Sequence, residues 1–423
     1  MARDRPAGRE PAAAGAAGTG RIGSLDFTRG IAVMGILAAN IVAFGQPFSA
    51  YMYPAAFLTD HGESSNWLWI AQFVLIDGKM RGLFTLLFGA GMYLFMEKAW
   101  ARGASRWLQA RRLFWLLLFG MFHFFFIWRG DILTYYALLG LGVLLCLGWS
   151  ARTQLAVGVL GYLVGALLYA AMLAPLHFIA ETDFGKQPAY SEMRSGLLAE
   201  QESILTEDQT DTDLTIAGDY AGLTAHRFAA HGDEQLTNLL LFGFETFPLM
   251  LLGVGLFRIG FFSGQLDRRR MLVWGWAGLL LGGGLHLLIG LWVKGIGYSY
   301  YGTLAAFVGI SPVPRLMMVV GMAALLTVWA PSATGWLGQR VTAAGRAAFT
   351  NYLGTSIVMI FVFHGWALGL FGKLDRVGLY VVVALTCALM LAWSKPWLER
   401  FRYGPLEWLW RCLTYGKLFP MRR

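Results

Sequence analysis

From residue 29 onward, long apolar runs alternate with short polar connections. The runs cover 29–46, 80–97, 113–128, 131–149, 155–179, 237–262, 271–293, 301–331, 347–366 and 377–394. A helix rises about 1.5 Å per residue, so about 20 apolar residues cross the hydrocarbon of a bilayer. The pattern predicts an all-α polytopic transmembrane bundle of about ten helices. The run from Tyr301 is interrupted by "SPVPR", where Pro312 and Pro314 lack backbone donors, which predicts a kinked or broken helix of the kind that lines a cavity. The segment "SSNWLWIAQFVLIDGK" reads as interfacial, with Trp67 and Trp69 at headgroup level.

Composition agrees: 57% of the residues are hydrophobic and only 14% charged, too apolar a mixture for an ordinary soluble domain. The net charge of +9 raises nucleic acid as a partner. The basic residues, however, cluster in short connections ("EKAWARGASRWLQARR", "DRRR", Arg340 with Arg346, and the segment after Lys395), and no nucleic-acid motif accompanies them. Those connections fall on one side, so the positive-inside rule predicts that both termini are cytoplasmic. Cys146, Cys387 and Cys412 have no paired or metal-ligand spacing, and neither a disulfide framework nor a bound metal is expected. The chain divides into a disordered cytoplasmic N-terminus (1–20), N-terminal transmembrane helices (21–179), an outer acidic loop (180–236), C-terminal transmembrane helices (237–394) and a basic cytoplasmic tail (395–423). The acidic loop reads either as a cap that binds an acceptor or as a solvated connection. Asp26 and Arg29 abut the first apolar run, which reads as an uncleaved helix rather than a signal peptide.

Charged and polar groups at membrane depth are costly and mark candidate sites. Counting residues from the outer ends of the runs puts Asn40, His123, Glu245 and His286 in one layer, on the order of 8–12 Å below the outer face. Asp131 and His364 lie slightly above it. At the opposite face stand Asp26, Arg29, Arg111, Arg112, Arg258, Arg346 and Asn351, a group suited to an anion or a cofactor phosphate because arginine offers a rigid fork of donors. Structural alternatives stay open for several of these: Asp26 and Arg29, three apart, can pair with each other, Arg111 and Arg112 can be topology anchors, and His286 can be a packing residue. Lys79 and Arg81 precede their run on the outer side and are ambiguous between surface and interior.

The motifs "RIGSLDFTRGIAVMGILAAN", "KMRGLFTLLFGAGM", "GMFHFFFIWRGDILTYYALLGLGVLL", "GRAAFTNYLGTS" and "FRYGPLEWLWRCLTYG", in this order, resemble the YeiB-like family of bacterial inner-membrane proteins over nearly the whole chain from Arg21. The first motif is also distantly similar to the "LDxxRG" opening of integral-membrane acyltransferases, including bacterial O-acyltransferases and the lysosomal heparan-glucosaminide N-acetyltransferase type. That resemblance implies an acyltransferase-like helical fold in which cytoplasmic acyl-CoA gives its acyl group to an acceptor across the membrane, with Asp26 and Arg29 at the charged threshold. The O-acyltransferase type carries a catalytic histidine where this chain has Asn40. The N-acetyltransferase type has Asn there and takes a histidine from the next loop, but the sequence around His61 does not match. His123 does match the YeiB-like pattern.

Two functions follow as expectations. In the first, a membrane-bound acyltransferase uses acetyl-CoA or another acyl-CoA as donor and a small molecule, glycan or lipid at the outer face of the bacterial inner membrane as acceptor. A neutral His123 is then the general base, oriented by Asp131 or Glu245; Asn40, His286 and Asn351 bind substrate, and Asp26, Arg29 and Arg346 bind the cofactor. In the second, the same bundle transports a small solute or a lipid-linked precursor. Gly-rich helices serve packing within one chain or between chains, so an oligomer stays open.

Overall fold

The computed structural model describes residues 23–59 and 62–423; the expected disorder of residues 1–20, and the residues Arg21 and His61, lie outside the described residues. Helix dominates, and the β-structure among the described residues is one isolated bridge between Phe401 and Arg422. The helices are α1 (Gly23–Gly45), α2 (Glu63–Leu75), α3 (Lys79–Trp100), α4 (Trp107–Phe122), α5 (Leu133–Cys146), α6 (Ala151–Glu181), α7 (Ser191–Ala217), α8 (Tyr220–Ala230) and α9 (Glu234–Arg258). They continue as α10 (Arg268–Gly295), α11 (Tyr300–Leu304), α12 (Pro312–Trp329), α13 (Trp336–Arg346), α14 (Ala348–Phe363), α15 (Arg376–Arg400) and α16 (Pro405–Tyr415).

Every apolar run found in the sequence falls on helix. Seven helices among the described residues are long and apolar enough to cross a membrane, and eight when α13 and α14, bent by 87° at their junction, count as one. The shortfall from ten has a physical source. α5 has 14 residues, too few for a full span, and α3, although 22 residues long, carries Lys79 and Arg81 at one end and Glu97 and Lys98 at the other and is not among the seven; α11 shares the run 301–331 with α12. On α15 the row Val377, Val381, Leu385, Leu389 is exposed at helical spacing, and α6 and α10 expose Leu167 and Leu280 likewise. Apolar rows this long on a perimeter are covered by lipid, and the protein is a multi-pass membrane protein.

At the centre stands α1, packed against α3, α12, α13, α14 and α15. Backbones touch at two crossings. A Cβ at Gly30 would strike the Val341 carbonyl of α13 and one at Gly345 the Asp26 carbonyl of α1; Gly89 and Gly253 stand in the same reciprocal relation to Met250 and Leu86 where α3 crosses α9. Small residues permit this approach, and in lipid it is the packing itself that holds helices together. The π-helical stretch Ala305–Ile310 runs into α12 at Pro312, so the break predicted at "SPVPR" is present.

Three sequence expectations change. Trp69 is 2% exposed and stacks on Phe73 inside the bundle instead of sitting at a headgroup, while Trp67 remains exposed with Lys294 over its ring. The acidic segment 180–236 is helical, with α7 and α8 folded over one end of the bundle, and Asp208 of α7 accepts the Ser49 N–H. The C-terminal tail contains α16, which packs on α4 through a Trp410 Nε1–H bond to the Arg112 carbonyl, 2.8 Å. The start of α1 and α16 lie at the same end of the bundle, the end with the arginines.

Gly253→Ala is expected to cost about 1–3 kcal/mol, because backbone rather than a flexible side chain occupies the space. Gly284→Ala, which meets open space, is expected to leave stability unchanged. The thermal midpoint in detergent checks both.

Candidate functional site

His123 begins a π-helical turn, His123–Ile127, that ends α4 and brings Asp131 back beneath it. The imidazole is 0% exposed, as is Asp131. Nδ1 of His123 is 2.9 Å from Asp131 Oδ1, and Nε2 is 2.9 Å from the Ser356 hydroxyl on α14. Asp131 is itself fixed: its Oδ2 accepts the Thr134 N–H at 2.8 Å, capping α5. The result is a carboxylate–imidazole–hydroxyl chain with each member oriented by the next, the arrangement that activates a hydroxyl nucleophile.

Below this chain a cavity of about 760 Å³ opens at the arginine-rich end. Arg29, Lys98, Arg112, Arg346 and Arg411 line it there, whereas Leu87, Phe88, Leu116, Leu133, Tyr136 and Tyr352 line its depth. From Lys98 to Phe84 along α3 is roughly 21 Å of helix, so the cavity reaches well into the membrane. Arg29 Nη1 pairs with Asp26 Oδ1 at 3.0 Å, so the threshold motif is both a salt bridge and part of the cavity mouth. Arg112 lies over the rings of Phe95 and Trp410, 4.6 and 4.1 Å from their centroids, which holds a cation in place without a carboxylate. Glu407 of α16 accepts the N–H groups of Phe349 and Thr350 at 2.7 and 3.1 Å and so caps the start of α14 from across the chain.

Tyr352 closes the inner end of this cavity; its ring is 5.3 Å from that of His123, and its hydroxyl reaches the Ile132 N–H at 3.3 Å. Beyond it a small cavity of about 10 Å³ is lined by Asn40, Thr355, Ser356 and Trp128, with Tyr352 as a wall shared with the large one. Trp128 and Phe44, stacked with centroids 4.0 Å apart, separate the small cavity from an outer one of about 60 Å³. Arg129, Asp208, Asp211, Arg227 and His364 line the outer cavity. Burial and the nearby Arg227 push His364 down to about 4. Burial raises the Asp208 carboxyl, whereas at Asp211 burial is outweighed by His231, Arg129 and Arg227, which hold it below the usual range.

The single polar layer expected from depth divides in two. His123 and Asn40 adjoin the path just described. Glu245 does not orient His123: its Oε2 is 2.8 Å from Arg315 Nη1 and 3.1 Å from Arg81 Nη2, and Tyr162 donates to Oε1 at 3.2 Å. Arg81 is thus an interior residue, and Lys79, donating to the Phe73 carbonyl, is another. His286 turns its Nδ1 to the Gly282 carbonyl at 3.0 Å and packs edge-on against Phe73, away from every cavity described here. Asn351 is also committed elsewhere: Nδ2 donates to Ala344 O and Ser394 Oγ at 3.0 and 3.2 Å, and Oδ1 accepts from Trp393 at 2.9 Å. It joins α14 to α15 and does not face the cavity.

Sequence reasoning missed Ser356, Tyr352 and Arg411. The signal existed for the first two, since Tyr352 and Ser356 are four apart on one helical face within the motif "GRAAFTNYLGTS". Arg315 was visible only as part of a helix-breaking "SPVPR".

Removing the Glu245 carboxylate takes the counter-charge from the buried Arg315 guanidinium and the partly buried one of Arg81. Glu245→Ala is expected to cost about 3–5 kcal/mol, and the double change Glu245→Leu with Arg315→Met to recover part of that loss. Unfolding of the detergent-solubilised variants measures both.

The family described as "Protein of unknown function (DUF418)" matches residues 256–417. "Uncharacterized protein YxaH" of Bacillus subtilis is 32% identical over 95% of this chain and 96% of its own length. "Uncharacterized protein YeiB" of Escherichia coli is 31% identical over 94% of this chain and 97% of its own. No solved structure matches the chain. With this level of identity sustained from end to end, and with the DUF418 region in its C-terminal part, the chain belongs to the DUF418 family together with YeiB and YxaH.

Proposed function

We propose that the protein is an acyltransferase of the bacterial inner membrane that takes an acyl group from acyl-CoA at the arginine-rich face and passes it to a hydroxyl or amine acceptor entering from the face capped by α7 and α8. One observation carries the reading: a cavity cationic at its mouth and apolar in its depth ends against Tyr352, beside a buried Asp131–His123–Ser356 chain. An acyl-CoA has the complementary polarity, with phosphates at one end and a thioester with its acyl chain at the other. Guanidiniums suit the phosphates, and Arg29, Arg112, Arg346 and Arg411 supply them.

His123 has no open surface of its own and meets the path through Ser356, so the base acts on that hydroxyl. Ser356 Oγ attacks the thioester carbonyl while His123 accepts its proton. The tetrahedral centre collapses, the C–S bond breaks, and His123 returns the proton to the departing thiolate, leaving an ester on Ser356 and free CoA. An acceptor hydroxyl or amine then attacks the ester, gives its proton to His123, and regenerates the Ser356 hydroxyl. Asp131 holds the imidazole in the tautomer with Nδ1–H, and Asn40, which lines the same small cavity as Ser356, supplies an amide donor to the ester carbonyl. A covalent relay suits a path pinched at Tyr352 and at the Phe44–Trp128 stack, because only the acyl group has to pass.

A second reading, transport of a small solute or a lipid-linked precursor, is favoured by the same alignment of three cavities from one face to the other.

Purified protein incubated with acetyl-CoA and longer acyl-CoAs is expected to bind the donor saturably and to release CoA with a mass increase of one acyl group at Ser356. Ser356→Ala and His123→Ala are expected to keep binding and lose the adduct, and Arg29→Ala with Arg112→Ala to weaken binding at least tenfold. Folded wild type that binds no acyl-CoA overturns the acyltransferase reading; binding and turnover without an adduct retain it and overturn only the serine ester.

A further inference from the structure

We propose that Asp211, His226 and His231 form a binding site for one divalent first-row transition-metal ion, of which zinc is the type, at the rim of the outer cavity. The inference does not depend on the acyltransferase reading. Donor atoms from the three residues lie within 4.8 Å of one another. His231 Nε2 is 3.3 Å from Asp211 Oδ2, and His226 Nε2 is 3.8 Å from Asp211 Oδ1. Ligands about 2.0–2.2 Å from a tetrahedral ion stand about 3.3 Å apart, so little movement is needed to close the site.

Three buried atoms at this one place lack a hydrogen-bond partner: Asp211 Oδ1, His226 Nε2 and His231 Nε2. His231 is 3% exposed, so water does not compensate it from bulk. Orphaned polar atoms are costly singly, and three converging from different points of the chain are the donor set of a cation. Their surroundings fit as well. His231 Nδ1 faces Glu234 Oε2 at 3.5 Å, the carboxylate–histidine pairing that turns the other ring nitrogen toward a metal. Arg129 holds Glu234 at 2.7 Å and Asp211 Oδ2 at 3.2 Å, leaving Asp211 Oδ1 to the ion. Asp208, Asp211 and Glu234 against Arg129 and Arg227 leave one net negative charge before any ion binds. Two imidazoles with a single carboxylate select borderline metals over calcium or magnesium, which ask for oxygen.

Three protein ligands leave a fourth position for water or a ligand from the outer cavity, which Asp211 also lines. The ion ties α7 to α8, and α8 in turn holds the turn that carries His123: Tyr220 donates to the Phe126 carbonyl, and Phe228 stacks on Phe125 with centroids 4.1 Å apart. His226 and His231 stand at an H-x4-H spacing, one half of a zinc-ligand pattern, but no cysteine pair completes it, and no metal was expected from the sequence.

Full-length, tag-free protein stripped with EDTA in detergent and then equilibrated with Zn2+ is the test, read by elemental analysis and thermal midpoint, with Co2+ as the spectroscopic probe. The expected result is one Zn2+ per chain, a higher midpoint with the ion, and visible Co2+ absorption of the intense low-symmetry type. His226→Ala, at a side chain that is partly exposed, and His231→Ala are each expected to abolish the stoichiometric ion and the shift. Wild type that takes up no Zn2+, or folded His226→Ala and His231→Ala proteins that bind it as wild type does, overturns the proposal.

Discussion

A carboxylate cannot stay ionised in hydrocarbon alone, and the organisation of this bundle follows from how Glu245 is satisfied. Two guanidiniums and a phenol close on it, from α3, α12 and α6, while Glu245 itself is on α9. Four helices are thereby fixed at one point. The close crossing of α3 and α9, where glycines let backbones touch, then sets the wall against which α1 and the large cavity are arranged. Arg315 also donates to the Phe307 carbonyl, so the same cluster satisfies backbone freed by the π-helical break before α12.

The second buried polar system obeys the same rule with a different outcome. Asp131, His123 and Ser356 satisfy one another in a line rather than in a closed cluster, and the line ends on a hydroxyl that faces a cavity. A closed ion cluster stores its polarity in structure; an open chain presents it to whatever enters. That contrast, and not depth in the membrane, separates the residues suited to chemistry from those that hold helices together. The outer cap adds a third system, in which Arg129 gathers three carboxylates and two histidines beside it are left with a free nitrogen each.

Much of this was legible in the chain. Apolar runs of spanning length can be buried only in lipid or in one another, so the all-α membrane bundle and the positions of its helices follow from composition and period alone. The threshold pair Asp26 and Arg29, three apart, and the pairing of His123 with Asp131, eight apart across a turn, are local enough for spacing to expose them. So is the break at "SPVPR".

Partners distant in sequence were beyond that reach. Ser356 is 233 residues from His123, Arg315 is 70 from Glu245, and α16 reaches back some three hundred residues to floor the cavity beside Arg112. Depth along a span places a residue on one axis only; which neighbour it meets depends on helix rotation and crossing, and those are set by where glycines let backbones approach. Glu245, His286 and Asn351 share the depth or the face expected of site residues, yet Glu245 and Asn351 bond to other helices and His286 bonds back to Gly282 of its own helix and packs on Phe73 of α2. The sequence by itself determined that polar groups would lie in the membrane and on which helices. The tertiary structure decided which of them face a cavity, because only the packed bundle determines whether a buried group's hydrogen bonds are spent on protein or left for a ligand.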